Sequence, residues 1–231
     1  MRGPRTVGSV PVPVDAVLFD LDDTLLDWST SIHRTVADLA DDWHADRLLA
    51  YADEHCCVRR DGVVVNRRTW QLHEFADDHW PKALPELSAD EIRLALGRFR
   101  DELWVGFFPD VVPVLDVLVD RYRLGLLSNN PYVDREVERL RLGDWFEVVI
   151  EVDHDVPKPH PDAFRRACAS LGVEPARAAH VGDSITLDAE AADAAGLVAV
   201  WIDRHDDGWE PTPPIRRIAG LAELPGLLDS L

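Results

Sequence analysis

The chain has 231 residues, 46% hydrophobic and 29% charged, which is the make-up of a globular protein with enough material for a sizeable core. Its formal net charge of −19 is spread along the chain and excludes nucleic-acid binding through a basic surface. No apolar stretch is long enough to span a membrane, the opening residues lack a signal-peptide run, and Cys56, Cys57 and Cys168 have neither disulfide-framework nor metal-ligand spacing, so a cytoplasmic protein is expected.

In chain order, Met1–Val12 is expected to be a loose arm. Ala16-Val-Leu-Phe19 is a short apolar run that stops at Asp20-Leu-Asp22-Asp23-Thr24, the pattern of a buried parallel strand ending in a polar loop. Ile32, Val36, Leu39 and Trp43 then recur at helical spacing and predict one helix, or two, over residues 30–55. Asp61-Gly62 marks a turn. Residues 66–80 and 88–104 are expected to be helical, the second opened by a Ser88/Glu91 capping box. Residues 28–106 thus read as a helical block without a strand.

From Val111 strand and helix alternate. Helices are expected at 111–121, 131–142, 162–171 and 185–195, with Gly196 closing the last. Strands are expected at 124–127, 146–150, 178–181 and 197–202, followed by a loop rich in Pro and Asp at 205–214 and a closing helix at 221–231. This alternation predicts an α/β fold, a Rossmann-like parallel sheet with helices on both faces.

In such sheets ligands bind beyond the carboxyl ends of the strands. Three expected strands end in polar groups, at Asp20/Asp22, Ser128 and Asp183, and Lys158 lies in the loop Val156-Pro-Lys-Pro-His160. Alternate residues of an extended segment share a side, so Asp20 and Asp22 can face one pocket. Two carboxylates that close need a cation or a shared proton. One can attack phosphorus while the other handles the proton of the leaving group. A polar strand-end loop in a very acidic chain is the bland reading of the same residues.

Four elements in this order, Phe19-Asp-Leu-Asp-Asp-Thr24, Leu127-Ser-Asn129, Lys158-Pro159 and Gly182-Asp-Ser-Ile-Thr-Leu-Asp188, resemble the haloacid dehalogenase superfamily in its phosphatase branch. The resemblance implies a catalytic core at 1–27 and 108–231 with an α-helical cap inserted at 28–107, hinged near Asp27–Ser29 and Gly106–Pro109. It implies Asp20 as nucleophile, Asp22 as acid and base, and Lys158 as the cation that neutralises Asp20 and phosphate together. Thr24 would steady the nucleophile loop, Ser128 would meet the phosphoryl group, and Asn129 would face the substrate with either its side chain or its backbone amide. Mg²⁺ would be held by Asp20, the backbone carbonyl of Asp22, and Asp183, with Ser184 and Asp188 behind them.

The implied activity is hydrolysis of a small phosphorylated metabolite through an aspartyl-phosphate: phosphoglycolate, a sugar phosphate or a nucleoside monophosphate. The protein would act as a monomer or homodimer with no nucleic-acid or membrane partner. A phosphomutase, a 2-haloacid dehalogenase and a non-catalytic binding module are the alternatives. Asp22 and Thr24 oppose the dehalogenase, and the intact catalytic set opposes the binding module. The five histidines His33, His44, His55, His73 and His79 lack the spacing of a metal-ligand pair. Arg59-Arg60 and Arg67-Arg68 are basic islands, to be read either as surface ion pairs or as a clamp for an anionic substrate. A high-salt habitat and an ordinary acidic surface account equally for the charge.

Overall fold

The computed structural model describes residues 13–39, 42–151, 156–206, 208–212 and 214–231, with the backbone alone at 42, 43 and 151. The expected N-terminal arm, the side chain of Trp43 and parts of the 205–214 loop lie outside the described residues. β1 (Ala16–Phe19) is followed by α1 (Trp28–Leu39), α2 (Asp42–His55), β2 (Cys57–Arg60), β3 (Val63–Arg67), α3 (Gln71–Glu74), α4 (Ala76–Ala83) and α5 (Ala89–Glu102). Then come α6 (Val111–Leu118), β4 (Arg123–Ser128), α7 (Val133–Leu140), β5 (Val148–Glu151), α8 (Pro161–Ser170), β6 (Ala178–Gly182), α9 (Glu190–Ala195), β7 (Val198–Ile202), β8 (Arg216–Ile218) and α10 (Leu224–Leu228). None of the helices is long and apolar enough to cross a membrane, among the described residues.

The main sheet runs in the order β5-β4-β1-β6-β7-β8 with every pair parallel. β1 is the centre, and its four residues are buried on both faces, as a strand between two helical layers requires. Alternation sorts its side chains. Val17 and Phe19 join one apolar cluster with α6, α7 and α10, while Ala16 and Leu18 join the other with α8 and α9. Gly125 on β4 is small for a steric reason, since a Cβ there would lie 2.7 Å from a Leu18 methyl carbon.

The strand order reverses at β1, where the sheet passes to β4 on one side and β6 on the other. The carboxyl ends of these three neighbours therefore open on one crevice. The segments that leave and re-enter this crevice run side by side: Asp27 N–H donates to Gly106 O (2.9 Å) and Phe108 N–H to Leu25 O (3.0 Å). Residues 28–107 thus start and finish at one point beside the β1 loop.

Two expectations for this segment are corrected. It is not free of strands, because β2 and β3 form an antiparallel hairpin. Its turn is Asp61-Gly62, both at positive φ (52° and 85°), the pair of left-handed residues that a two-residue hairpin turn demands. The helix expected over 66–80 instead begins as the end of β3 and resumes at Gln71, because the β-branched run Val63–Val65 favours the extended chain. Beyond the Pro/Asp loop a short edge strand, β8, was missed; it has three residues and little periodicity to reveal it. The capping box is present, with Glu91 N–H donating to Ser88 Oγ and Ser88 N–H to Glu91 Oε2. Gly196 closes α9 at φ 92°.

The hairpin docks on the sheet. Val65 packs with Ile185, Ala189 and Trp201, and Arg60 pairs with Glu190 at 2.6 Å. The apolar cluster runs without a break from Phe19 through Leu25, Leu26 and Trp28 to Leu72, Trp80 and Phe99. Phe99 is fully buried, its ring 5.2 Å from that of Trp80. Phe99→Ala is expected to lower unfolding stability by about 3–5 kcal/mol, measured by urea denaturation; a loss below about 1 kcal/mol would show that the segment contributes little to cooperative folding.

Candidate active site

Asp20 follows β1, Ser128 ends β4 and Asp183 follows β6, so the three strand ends carry these groups to one cavity of about 360 Å³. Lys158 enters from the loop before α8. Its Nζ is buried 2.5 Å from Asp20 Oδ1 and 2.7 Å from Asp188 Oδ1. Asn129 holds the lysine's backbone from both sides: its Nδ2 donates to Lys158 O (2.9 Å) and its Oδ1 accepts from Lys158 N–H (3.0 Å). Asn129 is therefore committed to placing Lys158, and its side-chain amide is not left to meet a substrate.

Asp188 is more than a distant support. Its Oδ1 accepts from Lys158 and from His180 Nε2 (2.9 Å), and its Oδ2 accepts from Ser184 N–H (3.1 Å). The side chain occupies the space over Gly182, where a Cβ would fall 2.2 Å from Asp188 Cγ. Glycine there is a packing requirement. Ser184 caps the following π-helical turn, its Oγ accepting from Leu187 N–H (3.1 Å).

Asp22 faces the same cavity and is held by two donors, Trp28 Nε1 (2.6 Å) and Asn130 Nδ2 (3.1 Å to the nearer oxygen). Burial and the negative charge of Asp20 push its carboxyl up to about 7, against the pull of those hydrogen bonds. Asp23, at φ 56°, also borders the cavity and accepts from Ser29 N–H (3.0 Å) at the start of α1. Burial pushes it to about 7 as well, and its Oδ2 has no partner. Thr24 is fully buried; its hydroxyl accepts from Asp183 N–H (3.0 Å) and its carbonyl accepts from Arg204 Nη2 (2.9 Å). It ties two loops together and does not reach the cavity. Ser128 lines the cavity, its Oγ accepting from Asn130 N–H (3.1 Å) and its hydroxyl hydrogen left for another acceptor.

The charges do not balance. Burial works to lower Lys158, but Asp188 and Asp20 outweigh it and hold the ammonium protonated. Burial works to raise Asp188, but Lys158 and His180 outweigh it and hold that carboxylate ionised. Asp20 is raised by burial, with Lys158 pulling against that rise and Asp188 adding to it. Asp183 is raised well above the ordinary range by burial and by Asp20 and Asp188. One ammonium thus faces several carboxylates. Asp20, Asp183 and Asp188 each bring an oxygen within 4.8 Å of the others, a donor set suited to a hard divalent cation.

His180, Trp28, Asn130 and Arg204 were not singled out from sequence. His180 carried a signal, as a histidine inside an apolar parallel strand; it is fully buried against the edge of Phe164. Trp28 and Asn130 carried none, because only the fold brings them to Asp22. Of the basic islands, Arg59 and Arg60 pair with Asp53 and Glu190, whereas Arg67 and Arg68 line the cavity.

A family model described as haloacid dehalogenase-like hydrolase matches residues 14–196. N-acylneuraminate-9-phosphatase of Homo sapiens is 27% identical over 94% of this chain and 95% of its own length. Among solved structures, a HAD phosphatase from Thermococcus onnurineus is 29% identical with a TM-score of 0.59, covering 93% of this chain and 98% of its own. A 2-haloacid dehalogenase from Pseudomonas syringae pv. Tomato DC3000 is 27% identical with a TM-score of 0.59, covering 94% and 99%.

Removing the buried ammonium leaves two carboxylates without their common counter-charge. Lys158→Met is expected to destabilise the protein by about 3–5 kcal/mol in chelated buffer near neutral pH, measured by urea denaturation. Unchanged or increased stability would show that the carboxylates are relieved in another way.

Proposed function

The chain belongs to the haloacid dehalogenase-like hydrolases, and from that premise we propose that it hydrolyses the phosphoric monoester of a small metabolite with Asp20 as covalent nucleophile. The observation that carries the reading is the placement of Lys158 Nζ against Asp20 Oδ1 while Asp22, pushed to about 7, faces the same cavity. The Lys158 ammonium pulls against the rise that burial gives Asp20 and so favours its ionised, nucleophilic form. A carboxyl that titrates near neutral pH can give a proton and take one back.

In the first step Asp20 Oδ attacks phosphorus, and the bond from phosphorus to the ester oxygen breaks. Asp22 passes its proton to that leaving oxygen. In the second step water attacks the aspartyl-phosphate, Asp22 takes the water's proton, and the bond from Asp20 to phosphorus breaks to release inorganic phosphate. Trp28 and Asn130 keep the Asp22 carboxyl aimed during both transfers. Lys158 and the Ser128 hydroxyl meet the charge that collects on the phosphoryl oxygens.

The excess of carboxylate fits a magnesium ion held by Asp20, Asp183 and the backbone carbonyl of Asp22, with Asp188 beside it. When bound, such an ion supplies charge neutralisation that lets an anionic nucleophile approach an anionic phosphate. Residues 28–107 act as the cap that closes this pocket, with the paired segments at Leu25–Asp27 and Gly106–Phe108 as its hinge. The free cysteines fit a reducing compartment, the cytoplasm.

The likeness to a 2-haloacid dehalogenase supports a second reading, halide displacement by Asp20. A halide departs without a proton, so that chemistry leaves the held and elevated Asp22 without a task. Phosphate release from p-nitrophenyl phosphate with Mg²⁺ separates the two. Turnover is expected to fall at least about a thousandfold in Asp20→Asn, about a hundredfold or more in Asp22→Asn, and to vanish with a chelator. Chelator-resistant halide release from a haloacid, with no phosphate release, would replace the phosphatase reading by the dehalogenase one.

A further inference from the structure

Arg68 is half-buried, lines the same cavity, and forms no ion pair or side-chain hydrogen bond among the described residues. Arg59, Arg60, Arg100, Arg123 and Arg139 have carboxylate partners, and the described arginines that lack one, Arg34, Arg98, Arg135 and Arg216, are exposed, so Arg68 is set apart by being half-buried in a cavity. Its backbone is fixed: the N–H donates to Cys56 O (2.8 Å) and the carbonyl accepts from Gln71 N–H (2.9 Å), at the joint between β3 and α3. Leaving a guanidinium partly desolvated without a partner costs free energy, and an anionic ligand would recover it.

The phosphate already has its partners, Lys158 and Ser128, on the sheet side of the cavity. Arg68 is brought to the same cavity by the segment that leaves β3 rather than by the sheet. Beside it stand Trp70 and Phe75, with ring centroids 6.1 Å apart, and Phe75 is 51% exposed at the rim. Tyr132, 55% exposed, lines the cavity from the sheet side. A volume of about 360 Å³ encloses a whole small organic molecule rather than a phosphate alone. Glu74, the acidic group nearest in sequence that also lines the cavity, is engaged by His73 at 3.1 Å.

Resting on the phosphatase reading, we infer that the leaving group carries a second anionic group, a carboxylate or a second phosphate, which Arg68 binds while the carbon skeleton lies against Trp70, Phe75 and Tyr132. Arg68 is thus a specificity-determining residue. It selects among phosphate esters by the far end of the molecule and takes no part in the chemistry at phosphorus.

The test compares kcat/KM with Mg²⁺ for matched esters. Phosphoglycerate against glycerol phosphate and phosphogluconate against glucose phosphate probe a carboxylate; fructose bisphosphate against fructose phosphate probes a second phosphate. The wild type is expected to prefer the doubly anionic member of at least one pair by roughly tenfold or more, and the preferred pair names the anion. Arg68→Gln is expected to shrink that ratio to near unity, mainly through KM, and Arg68→Lys to restore part of it. Arg59→Gln, on the surface, is expected to leave it unchanged. Equal rates within every pair for the wild type, or a ratio untouched in Arg68→Gln, overturns the inference while leaving the phosphatase reading in place. No phosphate release from any of these esters or from p-nitrophenyl phosphate defeats the phosphatase reading itself.

Discussion

The site is organised around one buried ammonium. Lys158 Nζ lies between Asp20 and Asp188, and both carboxylates are out of water. A charge that deep is tolerated only when it is paired and its remaining bonds are satisfied. This requirement reaches outward. Asn129 clasps the lysine's backbone, His180 and Ser184 N–H hold Asp188, and Gly182 leaves the room that Asp188 occupies. The central strands carry these groups on largely apolar faces, and the one buried polar side chain within β6, His180, is spent on Asp188.

Two carboxyls separated by one residue reach opposite ends of the chemistry through their surroundings. Asp20 has an ammonium against it. Asp22 has a tryptophan and an amide, and the negative charge of Asp20 for a neighbour. In the proposed mechanism it is this difference in partners, rather than in residue type, that separates nucleophile from proton carrier. The loop between them is kept in shape from below. Arg204 donates to Thr24 O, pairs with Asp110 at 3.1 Å and lies 3.8 Å over the ring of Phe108, so one guanidinium joins the Asp20–Thr24 loop to the segment just after residue 107.

The inserted segment does two things at once. Its apolar side shares a cluster with the sheet, and its hairpin brings a different polarity to the cavity than the sheet does. The loops at the strand ends supply Asp20, Asp22, Asp183, Asp188 and Lys158; residues 66–75 supply Arg67, Arg68, Trp70 and Phe75.

Much of this was legible in the chain alone because the signals are local. The apolar run before Asp20, the capping box at Ser88, the turn pair Asp61-Gly62 and the glycine after α9 act within a few residues, and the parallel α/β core follows from their alternation. The polar strand ends could be matched to one rim because a parallel sheet puts all its carboxyl ends on the same side. What only the tertiary structure decided is who pairs with whom. Lys158 meets Asp20 across 138 positions of sequence and Arg60 meets Glu190 across 130, while Arg68, beyond the far end of the same hairpin, lines the cavity. No spacing rule contains those distances, since ion pairing depends on separation in space and on shielding from water, and both exist only once the chain has folded.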